Sequence, residues 1–203
     1  MSVSRAVTGR FAPSPTGPLH LGSLVAALGS WLFARAKGGR WLVRMEDLDT
    51  PRVVPGAADE ILRALERYGL TWDGEVVFQS ERLSLYEGAL EDLLRKKMIY
   101  ACACSRADLA RAASAPAPGE EGSSKEGEVS GRPFTPAGSV YPGACRSGLP
   151  PGKTARAFRF RVPPGLFTFE YLLFGSLSQD LESKVGDFVV KRADGPYAYQ
   201  LAG

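Results

Sequence analysis

Residues 7–24 read VTGRFAPSPTGPLHLGSL, and this stretch holds an arginine, three prolines, three glycines and the only histidine of the chain. AVTGRFAP predicts a short strand stopped by proline. LGSLVAALGSWLFARAKGG then carries Leu21, Leu24, Val25, Leu28, Trp31 and Leu32 at helical spacing, with Gly38 and Gly39 as the stop. The prolines stiffen the connection, while Gly17 and Gly22 let the backbone approach something closely. If HLGS opens the helix, His20 and the free N–H groups of the first turn face the crevice beyond the strand ends, where α/β proteins bind phosphate. An imidazole there can donate to a phosphoryl oxygen as charge grows. The same spacing also describes a histidine satisfied by its own turn, and the residues alone leave both readings open. There is no GxxxxGK[ST] sequence, which excludes a Walker A loop.

Outward from this stretch the pattern alternates between strand and helix. RWLVRMED predicts a strand with Trp41, Val43 and Met45 on one side, and GAADEILRALERYG a helix with Ile61, Leu62, Leu65 and Tyr68 as its apolar stripe. A further helix is expected over Leu83–Met98, followed by extended IYACAC. Residues 111–139 offer only Val129 and Phe134 as large apolar groups, too little to offset ordering entropy, so a mobile excursion is expected. Order resumes at VYPGAC. ARAFRFRVP alternates Phe158, Phe160 and Val162 against Arg159 and Arg161. Arg156, Arg159 and Arg161 are therefore candidate RNA phosphate contacts, or simply a solvated strand face. LFTFEYLLFGSLSQDL and GDFVVKRADGPYAYQLAG add β structure, with a hairpin turn at Asp194 and Gly195.

The 203 residues carry 25 Lys+Arg against 22 Asp+Glu, a net charge of +3 that permits a nucleic-acid partner without requiring one. No apolar run reaches the roughly 18 residues of a membrane helix, and no signal-peptide core opens the chain. A cytoplasmic, membrane-free monomer is the expectation. Three cysteines form a poor disulfide set and a better metal set. With Tyr141 they read Cys-x-Cys-x36-Tyr-x3-Cys, from Cys102 and Cys104 to Cys145. Two thiolates one residue apart can grip Zn²⁺ from one side, and Cys145 plus an oxygen ligand can close the tetrahedron. A phenolate is an unusual ligand, and Tyr141 as a core aromatic with the thiols as small buried hydrophobes fits the same residues.

RFAPSPTGPLHLGSL resembles the signature of the class I aminoacyl-tRNA synthetases that handle glutamate, with HLGS in the place of their HIGH-type motif. VRMEDLDTPR, GLTWDGE, FQSERLSLY and DFVVKRADGPYAYQLA resemble further stretches of that family. The resemblance implies an α/β chain with the first half of a class I Rossmann nucleotide-binding fold and an inserted zinc-containing α+β domain. Residues 1–100 would be the catalytic half, 101–190 the inserted zinc-binding, acceptor-type domain, and 191–203 a return toward the catalytic domain. Arg10, Ala12 and Ser14 would hold glutamate, Glu46 its α-amino group, Tyr199 would line the amino-acid pocket, and His20 with Gly22 would serve the ATP phosphates. The residue types suit these roles: Arg10 offers a fork of donors to a carboxylate, and Glu46 leaves its strand where it could meet an ammonium. Asp47 and Asp49 could cap backbone or pair with Arg44, and Tyr199 could equally be a packed hairpin aromatic.

The cysteine pattern is similar to the zinc site of the glutamyl-Q tRNA(Asp) synthetases, in which a Tyr and a Cys complete the Cys-x-Cys pair. That similarity implies one structural Zn²⁺, with ATP as substrate alongside Mg²⁺. It also implies activation of L-glutamate and its transfer to the queuosine base at the wobble position of tRNA(Asp), without an anticodon-binding domain. By the same pattern an arginine of the glutamate pocket and a KMSKS-type loop should follow Gly203, so the chain looks C-terminally truncated. Two other expectations compete: a truncated glutamyl-tRNA synthetase, and a non-catalytic zinc module that binds RNA through KTARAFRFR.

Overall fold

The computed structural model describes residues 7–105, 107–109, 140–171, 174–192, 195 and 197–203. The expected excursion at 111–139 lies outside these residues, as does Asp194 of the expected hairpin turn. The chain forms two compact units, Met1–Glu87 and Gly88–Gly203. The division falls inside a helix.

The first unit is built on a parallel sheet of β1 (Thr8–Phe11), β2 (Arg40–Met45) and β3 (Val77–Phe78), in the order β1-β2-β3. Trp41, Val43 and Met45 are buried on alternate positions of β2, as the pattern predicts. α1 (Leu21–Ala36) and α2 (Ala57–Arg67) close the core. α2 contributes Ile61 and Leu65, one turn apart. Leu62 and Tyr68 do not share their burial, and the Tyr68 ring is largely exposed.

α1 departs from the sequence expectation in which stripe it buries. Leu21, Val25, Leu28 and Leu32 are exposed, and Ala27 and Ala34 are the residues fully inside. The reason is distance. A Cβ on Gly9 of β1 would lie 3.0 Å from Ala34 Cβ and from the Ser30 carbonyl oxygen, so this helix crosses the strand too closely for a leucine. Trp41 Nε1 donates to Ser30 Oγ at 2.9 Å, which fills the same seam. The helix ends as its glycines predict: Gly38 has φ +63°, and the Gly39 N–H reaches back to the Ala34 carbonyl at 2.8 Å.

α3 (Leu83–Arg95) carries the chain into the second unit and ends earlier than expected, with Lys97 in the left-handed region. β4 (Ile99–Cys102), β5 (Ala157–Phe160) and β8 (Val189–Arg192) form an antiparallel sheet in the order β4-β5-β8, with a register shift between Phe158 and Arg159. β6 (Leu166–Tyr171) and β7 (Gly175–Asp180) make a separate hairpin. α4 (Leu181–Lys184) is a single turn capped by the Asp180 carboxylate. The last residues are not a strand: Tyr199–Ala202 form a helical turn, α5. Among the described residues no helix is long and apolar enough to cross a membrane.

Asp187 organises the second unit. Its side chain is 1% exposed and accepts from Arg146 Nε and Nη2, each at 2.6 Å, from the Tyr100 hydroxyl at 2.5 Å and from the Val162 N–H at 2.9 Å. Burial alone would raise this carboxyl. The Arg146 guanidinium, the Tyr100 hydroxyl and the Val162 N–H outweigh it and hold the pKa below the ordinary carboxylate value.

Candidate active site and metal centre

The proline segment after β1 is pinned through its carbonyls, the one backbone group that proline keeps. The Pro13 oxygen accepts from the Glu46 N–H and the Pro15 oxygen from the Val54 N–H, both at 2.9 Å. Gly17, at φ +144°, turns the chain toward α1. A cleft of about 580 Å³ opens at this corner, lined by Phe11, Ala12, Ser14, Gly17, His20 and Gly22 with their neighbours.

His20 is both the helix cap and a group at the cleft. Its Nδ1 accepts the Ser23 N–H at 3.3 Å, and its Nε2 lies 3.0 Å from Ser23 Oγ. With Nδ1 accepting, the proton of the neutral ring sits on Nε2 and is directed at Ser23 Oγ, where a phosphoryl oxygen would compete for it. A Cβ on Gly22 would stand 3.0 Å from His20 Cε1, so glycine at this position keeps room for the ring. The first turn of α1 holds no acidic residue to oppose an anion at its N-terminus.

Strand alternation sends Arg44 and Glu46 to the same side at the end of β2. Arg44 Nη2 meets Glu46 Oε1 at 2.7 Å, with the two side chains 13% and 12% exposed. Arg44 Nε is buried without a hydrogen-bond partner among the described residues. Arg44 therefore pairs with Glu46 and not with the neighbouring aspartates. Asp47 instead accepts from the N–H and hydroxyl of Ser80, and Asp49 forms an exposed pair with Arg52. The structure thus gathers Ala12, Ser14, His20 and Gly22 around one cleft and ties Glu46 to its proline wall. Arg10 is exposed on β1, two residues before Ala12. Tyr199 opens α5 in the second unit with its ring 66% exposed, so it is not a packed hairpin aromatic.

In the second unit Cys102 leaves β4, and Cys104, Tyr141 and Cys145 come to the same place. The three Sγ atoms lie within 4.8 Å of one another, with Cys104 and Cys145 at 3.7 Å. The Tyr141 hydroxyl oxygen is 3.4 Å from Cys102 Sγ and 3.6 Å from Cys104 Sγ, and accepts the Cys145 N–H at 2.9 Å. Zinc–sulfur bonds of about 2.3 Å put tetrahedral ligands roughly 3.5 to 3.8 Å apart, so this donor set fits a metal of that size. The backbone frame is specific: Tyr141 bridges Gly186, whose φ of +67° suits glycine and where a Cβ would come 2.7 Å from Val140 Cγ1. Burial alone would raise the Cys102 thiol, but hydrogen bonds from Tyr141, the Cys104 backbone and Arg159 hold it below its usual range. Burial pushes Cys104 up to about 11 and raises the Tyr141 phenol.

The arginine row is corrected by the structure. Arg156 is exposed, but Arg159 is 7% exposed and turned toward Cys102 and Tyr141, and Arg161 Nη2 donates to the Arg146 carbonyl at 3.0 Å. Arg159 contacts Cys102, Tyr141 and the Asp187 carbonyl, so its side chain does not belong to a solvated RNA-facing strand. Arg146 and Asp187 were not singled out from sequence, and Arg44 was considered only as a partner of Asp47 or Asp49. The signal for its true partner was the same-side spacing of Arg44 and Glu46.

The family described as tRNA synthetases class I (E and Q), catalytic domain, matches residues 6–129. The glutamyl-Q tRNA(Asp) synthetases of Geobacter sulfurreducens and Dechloromonas aromatica are similar to this chain, at 56% identity over 196 residues and 54% over 194. They cover 97% and 96% of it, whereas the chain spans 57% and 59% of their lengths. A crystal structure of a glutamate tRNA ligase from Elizabethkingia meningosepticum in complex with its amino acid superimposes with a TM-score of 0.74 at 29% identity, over 98% of this chain and 41% of that one. A match over more than half the chain, on a parallel sheet whose cleft carries the proline and histidine stretch, leads to one conclusion: the chain belongs to the class I tRNA synthetases of the E and Q group, through their catalytic domain.

Proposed function

We propose that this chain carries the glutamate-activating site and the zinc-binding unit of a glutamyl-Q tRNA(Asp) synthetase. The observation that carries the reading is the cleft at the start of α1, where His20, Gly22, Ala12 and Ser14 meet beside a Glu46 held by Arg44. In the reaction an oxygen of the glutamate α-carboxylate attacks the α-phosphorus of Mg²⁺-bound ATP and pyrophosphate leaves. The glutamyl group then passes to the queuosine base of tRNA(Asp), releasing AMP. Arg10 and Ser14 bind the amino acid, with the backbone at Ala12. Glu46 has one oxygen on Arg44 and presents the other to the α-ammonium. His20 donates from Nε2 to a phosphoryl oxygen, and the N–H groups of the first turn of α1 add to the same field. Residues 1–100 serve catalysis, 101–190 form the inserted zinc-containing domain, and 191–203 lead back toward the catalytic domain.

Cys102, Cys104, Tyr141 and Cys145 hold one structural Zn²⁺, which ties β4 to the segment beyond residue 139 and contributes folding free energy. Tag-free protein purified without chelator is expected to contain about one zinc per chain. Cys145→Ser should remove most of it and lower the thermal midpoint. Metal content well under half an equivalent in the unaltered protein rejects this part of the reading.

The acceptor is tested by joining this chain to the continuation of the Geobacter sulfurreducens relative beyond Gly203. Given radiolabelled glutamate, ATP and tRNA(Asp), the chimera should label only tRNA that contains queuosine, and should do so after the 3′-terminal adenosine has been removed. A base in the single-stranded anticodon loop is open to a protein pocket in a way a paired base is not. Label on unmodified tRNA(Glu), lost with that adenosine, assigns the chain to the glutamyl-tRNA synthetases instead.

A further inference from the structure

We propose that Arg159 holds the metal centre from behind: it orients Cys102 and Tyr141 and offsets the negative charge that the ligand set gains when a metal binds. The inference rests on the zinc reading above and concerns a residue outside that ligand set.

Arg159 sits at the register shift of β5, where a bulge re-aims side chains, and it is 7% exposed. A guanidinium taken that far out of water needs anionic or strongly polar partners. Its partners are unusual. Nη1 donates to the Asp187 carbonyl at 2.7 Å, Nε donates to Cys102 Sγ at 3.3 Å, and the guanidinium carbon lies 3.9 Å from the centre of the Tyr141 ring. The Asp187 carboxylate is committed to Arg146, Tyr100 and Val162, and among the described residues no carboxylate pairs with Arg159. The buried positive charge therefore faces a sulfur and a phenol ring, the two groups that become anionic on ligation.

Three thiolates and a phenolate around a dication leave an excess of negative charge, and a cation fixed beside two of the four donors offsets it. The planar fork also sets direction. With Nη1 anchored on the Asp187 carbonyl, Nε is aimed at sulfur while the flat face supports the Tyr141 ring. Gly186, next to Asp187, bridges Tyr141, so the anchor of the arginine and the backbone of the ligand belong to one frame. A lysine would keep the charge but lose the fork.

The test uses the 203-residue chain, zinc as the probe and a chromophoric chelator as competitor. Arg159→Met is expected to weaken zinc binding by roughly 10- to 100-fold, the usual effect of removing a partner of a metal ligand. It should also shift the sulfur-to-metal charge-transfer bands of the Co²⁺-loaded protein. Arg159→Lys should recover part of the affinity, and Arg63→Met, which alters an exposed arginine of α2, should change nothing. Wild-type zinc affinity and an unaltered Co²⁺ spectrum in Arg159→Met overturn the proposal and leave the zinc reading standing, whereas an unaltered protein that binds no zinc overturns both. Should Arg159→Met fail to fold, Arg159→Lys decides: zinc lost to EDTA several-fold faster supports the role, and a wild-type rate rejects it.

Discussion

Asp187→Asn should destabilise the second unit by about 3 kcal/mol, because removing one partner of a buried ion pair leaves the other uncompensated. The lower end of the usual range applies, since Arg146 is 32% exposed and can recover some hydration while the aspartate cannot. The thermal midpoint should fall by roughly 10 °C. The sign of the pH dependence follows from the depressed carboxyl. Its contribution is complete above the ordinary carboxylate value of 3.8 and is lost as pH falls through the lower folded value. Urea midpoints followed by circular dichroism at pH 7 and pH 3 should therefore show a large gap between wild type and variant at pH 7 and a smaller one at pH 3. An equal gap at both values would mean that packing around residue 187, and not its charge, carries the effect.

His20→Ala should lower glutamate-dependent ATP–pyrophosphate exchange by about 10²- to 10³-fold in the chimera described above, the scale for losing one preorganised donor to a developing charge. The loss should fall on kcat, with the KM for glutamate little changed, because Arg10, Ser14 and Glu46 are untouched. Stability should drop by only about 1 kcal/mol, the worth of a helix cap, since the side chain is exposed and little apolar burial is lost with it. Exchange retained within a few-fold in His20→Ala would leave the imidazole as a cap alone. Gly22→Val should imitate the catalytic loss by pressing a side chain against the ring.

Much of the first unit was legible because its signals are local. Proline, glycine and the single histidine punctuate residues 7–24, and Trp41, Val43 and Met45 alternate with the period of a strand. The grouping of Cys102, Cys104 and Cys145 was legible for a related reason: cysteine is a distinctive residue, and two of them one position apart restrict what they can do. Helical spacing was less informative in α1, where the leucines mark a helix but the alanines mark its buried side. Spacing reports which residues share a face, and the separation between helix and strand decides which face fits.

The sequence by itself determined the strand–turn–helix opening, the family resemblance and the candidate residues of both sites, because each depends on residue type and short-range spacing. Only the tertiary structure decided what Arg159, Arg146 and Asp187 do. Arg159 lies 57 positions from Cys102 and Arg146 lies 41 from Asp187, and no local rule couples residues so far apart. An alternating arginine reads as solvent-facing until another segment covers that face. Arg159 is buried against Cys102, Tyr141 and Asp187, and a desolvated charge must find partners: here the Asp187 carbonyl, the Cys102 sulfur and the Tyr141 ring.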